Sequence, residues 1–315
     1  MSVSVGIVGT GKAAARHMKA LSRADGARIV ACMDEDLDAA SEAAVKFPGA
    51  GAYGDLDAML GEHDLDAVYI CDRPDEDAAL ELALIENGVP FFVEKPLGED
   101  REGPKRVMDA LEGTDLVAGA GYVLRYGDTV ERARAHLSEN AALLARGYCL
   151  GGACSPVKPE SEDQSGGLIL GRTSHLIDLA RYLFGEVATV YCAGRDEGEE
   201  TDASASTLVF EDGLTCQISS TRSAPREEVI LDVVTGGSTM RLSGANSGCR
   251  IATSRRVEET GGTVDLVLEQ AKAFLQAVEG ETSALKSTYE DAFRTHLVCC
   301  AARESMESGQ PVDLQ

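Results

Sequence analysis

Residues 3–21 read VSVGIVGTGKAAARHMKAL. Val3 to Val8 is a short β-prone run, Gly9 to Ala14 follows as GxGxxA, and an alanine-rich stretch of helical character ends near Leu21. Gly9 permits a tight strand-to-helix turn and Gly11 lets backbone N–H groups approach a pyrophosphate. Ala14 is small enough for close packing of helix on strand, and the positive end of the helix dipole faces the phosphates. Thr10, Lys12 and Ala13 complete the loop that would cradle them. Glycine is common in this chain, at 33 residues, so the pattern takes its weight from its surroundings.

The next strand, ARIVACMD, ends in Asp34, where a dinucleotide fold expects an acid for the ribose hydroxyls. An acid there repels the 2′-phosphate of NADP, and Glu35 and Asp36 add to that repulsion, so the expected cofactor is NAD. The alternation goes on with a helix near 55–61, a buried strand DAVYIC at 66–71, a helix near 76–87 stopped by Asn87-Gly88, and a strand PFFVEK. Strand, helix, strand at this spacing predicts parallel pairing in a doubly wound sheet. Ligands of such sheets sit beyond the carboxyl ends of the strands, where Cys71, Asp72, Glu94 and Lys95 fall.

At 315 residues the chain is long enough for two domains. Hydrophobic residues make up 44% and charged residues 26%, ordinary values for a folded globular protein. Lys and Arg total 29 against 53 Asp and Glu, for a net charge of −24, and no basic block of the kind that tracks phosphates is present. Nucleic acid and anionic membrane are therefore not the expected partners, and acidic stretches such as DEDLD read as solvated surface. The nine cysteines are odd in number and form no CxxC pair, which points to thiols in a reducing cytoplasm and to no metal site. The N-terminus enters a strand without a basic flank or apolar signal core, and no apolar run reaches a membrane span. A cytoplasmic protein is expected.

FFVEKPLGED, following the glycine motif, resembles the Gfo/Idh/MocA family of nicotinamide-dependent oxidoreductases, whose second hallmark is EKP. GYVLRY at 121–126 resembles that family's entry into its second domain, and GGLILGRTSHLIDLARYLFGE its glycine-rich approach to the active-site helix. The run from EQAKAFLQAVEG to SGQPVDL is similar to its usual ending. The resemblance implies an NAD-binding Rossmann domain over residues 1–120, then a substrate-binding and oligomerising α+β domain over 121–315 built on a large, mostly antiparallel, open-faced sheet. Short β-branched runs support the second domain independently: ATVYCAG, ASTLVFED, LTCQISSTR, EVILDVVT, TMRLSG and RIATSRR, with turn signals at Asp212-Gly213 and Gly236-Gly237.

The resemblance further implies oxidation of a hydroxyl, or reduction of a ketone, on a sugar, polyol or sugar derivative. Lys95 and His175 would be the catalytic groups, Cys71, Asp72 and Pro74 would lie beside the cofactor, and Tyr122, Arg125 and Arg172 would touch substrate. A homodimer or homotetramer paired through the open sheet face is the expected assembly. Helical spacing also allows a local contact between His175 and Asp178. Two departures qualify the resemblance. Gly171 stands where many sugar and inositol dehydrogenases carry an acid, with Arg172 or Asp163 as substitutes, and Asp77 stands where a histidine is usual. A redox-assisted lyase or glycosidase with tightly held NAD, and a non-catalytic NAD-binding regulator, are the alternative functions.

Overall fold

The structure is a computed structural model that describes residues 2–72, 78–152, 167–197 and 200–314; Pro74, Asp77, Cys154 and Asp163 lie outside the described residues. The chain folds into two compact units, Met1–Val123 with Asp265–Phe293, and Leu124–Val264 with Arg294–Gln315. Residues 265–293 thus return to the first unit, which a single cut along the chain cannot represent.

The first unit carries β1 (Val3–Val8), α1 (Lys12–Leu21), β2 (Ala27–Met33), α2 (Leu37–Ala44), β3 (Gly51–Tyr53) and α3 (Leu56–Glu62). It continues with β4 (Ala67–Ile70), α4 (Ala79–Glu86), β5 (Phe91–Val93), α5 (Glu102–Leu111) and β6 (Ala118–Ala120). Its six strands lie in the order β3-β2-β1-β4-β5-β6, all parallel. Strands buried on both faces need apolar residues throughout, and β4 and β5 are buried at every position. Helix α1 packs on one face together with the returning helix Leu266–Val278, whose Phe274 meets Tyr69 and Phe92 edge to face. The other face holds Leu56, Met59, Leu84 and Val107.

The second unit carries α6 (Asp128–Glu139), β7 (Ala142–Gly152), α7 (Ser174–Phe184), β8 (Val187–Glu197), β9 (Glu200–Phe210), β10 (Thr215–Ala224), β11 (Glu228–Thr235), β12 (Ser238–Ser243), β13 (Gly248–Thr253), β14 (Val257–Thr260) and β15 (Val312–Asp313). These strands lie in the order β14-β13-β12-β11-β7-β10-β9-β8-β15, antiparallel except for the central β7–β10 pair. The Asp212-Gly213 signal forms the β9–β10 hairpin, with Gly213 at φ +87°. On β7 the inward positions are Ala145, Gly147, Cys149 and Gly151, because α7 presses on them: a Cβ on Gly147 would stand 3.4 Å from Leu176 and 2.9 Å from the Ile230 carbonyl. The opposite face is open. It exposes Leu144, Tyr191 and Val234 and carries a cross-strand ladder in which the Arg241 guanidinium donates to both oxygens of Asp232, with Arg146 at 3.4 Å.

All eight described cysteines are buried thiols. Among the described residues no helix is long and apolar enough to cross a membrane.

Candidate functional site

Past their carboxyl ends the strands of the first unit stay in register. The Gly9 N–H donates to the Met33 carbonyl at 2.9 Å, Cys71 to Val8 at 2.7 Å and Glu94 to Ile70 at 2.9 Å. Gly9–Ala13, Asp34, Cys71–Asp72 and Glu94–Lys95 therefore share one edge of the sheet, as the sequence pattern requires. Gly9 sits at φ +76°, and a Cβ there would lie 2.8 Å from the Asp72 nitrogen, so both conformation and space demand glycine. At Gly11 a Cβ would meet nothing within 4 Å, and Gly11 caps α1 without a side-chain hydrogen bond. The first-turn N–H groups thus have no side-chain acceptor at the cap, and an anion is a natural acceptor for them. Ala14 is completely buried under the loop.

The Asp34 carboxylate accepts from the Thr10 N–H at 2.8 Å, the Thr10 hydroxyl at 2.7 Å and the Asp36 N–H at 3.1 Å. Partial burial pushes its pKa up, but these hydrogen bonds outweigh it and hold the carboxyl below its ordinary range. An ionised acid is thereby locked to the glycine loop. Burial first, then the charge of Glu94, drives the Cys71 thiol well above its usual pKa, so this cysteine is no thiolate nucleophile. These residues fit a dinucleotide: an open pyrophosphate cradle and an anchored acid beside it.

A further pair escaped the sequence reading. His17, 3% exposed, lies against the rings of Tyr69 and Phe92, and its Nε2 meets Glu94 Oε1 at 2.7 Å. The other Glu94 oxygen accepts the Lys95 backbone N–H at 3.1 Å. Helix α1 is thus tied to the segment that bears Lys95. The signal was present, since Ala14, His17, Met18 and Leu21 repeat at helical spacing and a histidine on such a stripe needs a buried partner. Burial alone would raise the Glu94 pKa, but the hydrogen bond and charge of His17, with Lys95 and Arg16, lower it from 4.5 to about 2. A depressed acid contributes stability that is complete above its unfolded value and is lost as pH falls from about 4.5 towards 2. The shift corresponds to about 3 kcal/mol. His17→Phe should therefore lower the unfolding free energy at pH 7 and flatten its fall between pH 5 and 2. Urea titrations at both ends of that range measure it, and an unchanged acid limb would show that His17 does not hold Glu94.

In the second unit, residues Leu168–Thr173 form a π-helical turn that runs directly into α7. Such wide turns are uncommon and often mark functional sites. The Thr173 hydroxyl is 2.5 Å from that of Ser220 on β10, and the Ser174 hydroxyl donates to the Leu170 carbonyl at 2.6 Å. Leu168–Leu170, Thr173, Ser174 and Leu176–Arg181 are buried, which leaves Gly171, Arg172 and His175 as the half-open positions of the turn and the start of α7. Arg172 lies over β7, its guanidinium carbon 2.6 Å from where a Gly151 Cβ would be.

Asp178, one turn beyond His175, is fully buried. Arg125 grips it with Nε at 2.8 Å and a terminal nitrogen at 2.5 Å, and the Thr295 hydroxyl donates to it at 2.9 Å. Arg181 donates to the same Thr295 at 2.7 Å and forks onto Glu186. The Asp178 carboxylate thus serves Arg125 and Thr295, and Arg125, 2% exposed, anchors α7. Tyr122, also 2% exposed, belongs to the core cluster of the first unit with Phe91 and Tyr289.

Comparison with known proteins bears on both units. A family model described as "Oxidoreductase family, NAD-binding Rossmann fold" matches residues 3–122, and one described as "GFO/IDH/MocA C-terminal domain" matches residues 155–246. Inositol 2-dehydrogenase 2 of Saccharopolyspora erythraea is 28% identical over 59% of this chain, a match that spans 55% of that relative's length. Myo-inositol 2-dehydrogenase of Thermotoga maritima is 26% identical over 99% of this chain and 98% of its own. An oxidoreductase from Agrobacterium radiobacter, solved with NAD+, L-tartaric acid and magnesium, superposes with a TM-score of 0.88 at 19% identity over 99% of this chain and 98% of that one, which shows a shared fold.

Proposed function

The chain belongs to the Gfo/Idh/MocA oxidoreductase family, and from that premise we propose that it is an NAD-dependent dehydrogenase acting on a CH–OH group of a sugar, polyol or sugar derivative. The observation that carries this reading is the edge of the first unit, where a glycine cradle after β1, an anchored ionised Asp34 after β2 and the Glu94–Lys95 pair after β5 share one side of the sheet. Inositol dehydrogenases among the relatives support a polyhydroxylated substrate.

Gly9–Ala13 and the α1 N-terminus would hold the pyrophosphate, and Asp34 would accept from the ribose hydroxyls through lone pairs left by Thr10. The bound nicotinamide supplies the hydride acceptor or donor. The remaining chemistry falls to this chain's side chains. Lys95, half-buried at the end of β5, donates to the substrate oxygen and stabilises charge on it. His175, on the half-open face of α7, takes the hydroxyl proton as the C–H bond breaks, or returns it in ketone reduction. Exposed Leu144, Tyr191 and Val234 on the open face of the large sheet favour self-association through that face.

Nicotinamide absorbance, followed with NAD and NADP over sugars, inositols and sugar acids, tests the reading. Turnover supports it; absence of turnover across the panel with NADH binding intact favours the redox-assisted lyase or the NAD-binding regulator. Cofactor choice gives a sharper result. Asp34→Ala removes both the acceptor for the ribose hydroxyls and the repulsion of a 2′-phosphate, so the ratio of kcat/KM for NAD to that for NADP should fall by about ten- to a hundredfold. An unchanged ratio would remove Asp34 from cofactor selection.

A further inference from the structure

We propose that Arg172, with Arg222 beside it, forms an anion subsite in the second unit that takes the charged group of an acidic polyhydroxy substrate. This rests on the dehydrogenase reading and narrows its substrate class. Three observations carry it. Arg172 and His175 are three residues apart on one continuous helical segment, and with Gly171 they are its half-open positions there, the intervening Thr173 and Ser174 being at most 1% exposed. Arg172 has no carboxylate within ion-pairing distance among the described residues, in a chain with 53 acids against 29 Lys and Arg. A half-buried guanidinium with no acid partner among the described residues, in so acidic a protein, is suited to an anionic ligand.

The third observation is that a second guanidinium comes to the same turn. Arg222 lies on β10, between the positions that pair with Leu150 and Gly152 of β7, and its terminal nitrogen is 4.0 Å from where a Cβ on Gly167 would stand. Gly167 is the residue on which the π-helical turn begins. Arg172 reaches over Gly151 on the neighbouring strand, and the three nearest atoms a Gly151 Cβ would meet all belong to Arg172. The absence of a side chain at Gly151 is what lets Arg172 lie down on the strand end. The planar fork of Arg172, with the charge of Arg222 at the same strand end, suits an oxyanion, either a carboxylate or a phosphate, because the fork offers paired N–H groups at the spacing of two oxygens.

Calorimetry on the NADH-loaded enzyme with D-gluconate, D-glucose 6-phosphate and D-glucose tests the subsite and separates the two anions. One of the charged ligands should bind at least tenfold more tightly than glucose, and which one does identifies the charged group. Arg172→Gln should abolish that preference, a ten- to hundredfold loss for the anion, with partial recovery in Arg172→Lys. Gly151→Ala, which displaces the Arg172 side chain without removing it, should lose most of the preference too. Equal binding of glucose and both anions by the wild type, or the same preference in Arg172→Gln, overturns the subsite. The two readings fail separately: anion preference lost in Arg172→Gln without nicotinamide turnover keeps the subsite and defeats the dehydrogenase, whereas turnover of neutral polyols without any anion preference does the reverse.

Discussion

Lys95→Ala and His175→Ala should each lower kcat for nicotinamide-linked oxidation by about 10²–10⁴-fold while leaving NADH binding measurable by its fluorescence. That range is what a positioned proton donor or acceptor contributes to a transition state. Lys95 follows β5 at the edge that carries the glycine cradle, and Glu94 beside it is fixed twice, by His17 at 2.7 Å and by the Lys95 backbone at 3.1 Å. A lysine on so determined a backbone segment has a defined reach. His175 is carried by the helix that Arg125 anchors. Full activity in both single variants would remove them from the chemistry.

The second large effect is on stability. Asp178→Ala leaves the buried Arg125 guanidinium without its carboxylate and removes an acceptor from Thr295, which also serves Arg181. Removing one member of a buried ion pair destabilises by about 3–5 kcal/mol, since the remaining charge keeps its desolvation penalty. At about 2–4 °C per kcal/mol for a unit of this size, the melting temperature should fall by about 10 °C. Arg125→Met with Asp178→Leu removes both charges and should be markedly milder than either single change, which a double-mutant cycle by calorimetry would show. Equal loss in single and double variants would mean that volume rather than charge holds α7 in place. Because His175 lies one turn ahead of Asp178, the folded fraction of Asp178→Ala should also show reduced kcat.

Much of this was legible beforehand because the two periodicities are local. The strand, glycine turn and helix of residues 3–21, Asp34 at the next strand end and the hairpin at Asp212-Gly213 follow from side-chain size and backbone freedom alone. Strand β7 was missed for a physical reason. Its inward positions are Ala145, Gly147, Cys149 and Gly151, and its outward ones Leu144, Arg146, Tyr148 and Leu150. The larger side chains face away from α7, so the usual apolar-inward alternation is absent. The grip of Arg125 on the buried Asp178, 53 residues away, was not legible because a motif position does not say which distant acid a guanidinium will reach.

Sequence by itself determined the parallel sheet of the first unit and the acid at the end of its second strand, since each depends on contacts within about thirty residues, the span of one strand–helix–strand unit. Tertiary structure alone decided the return of residues 265–293 to the first unit, the His17–Glu94 and Arg125–Asp178 pairs, and the approach of Arg172 and Arg222 to one strand end. Those are partnerships of buried charge across long separations. Desolvation makes a partner obligatory, but only the packed fold determines which one is within reach.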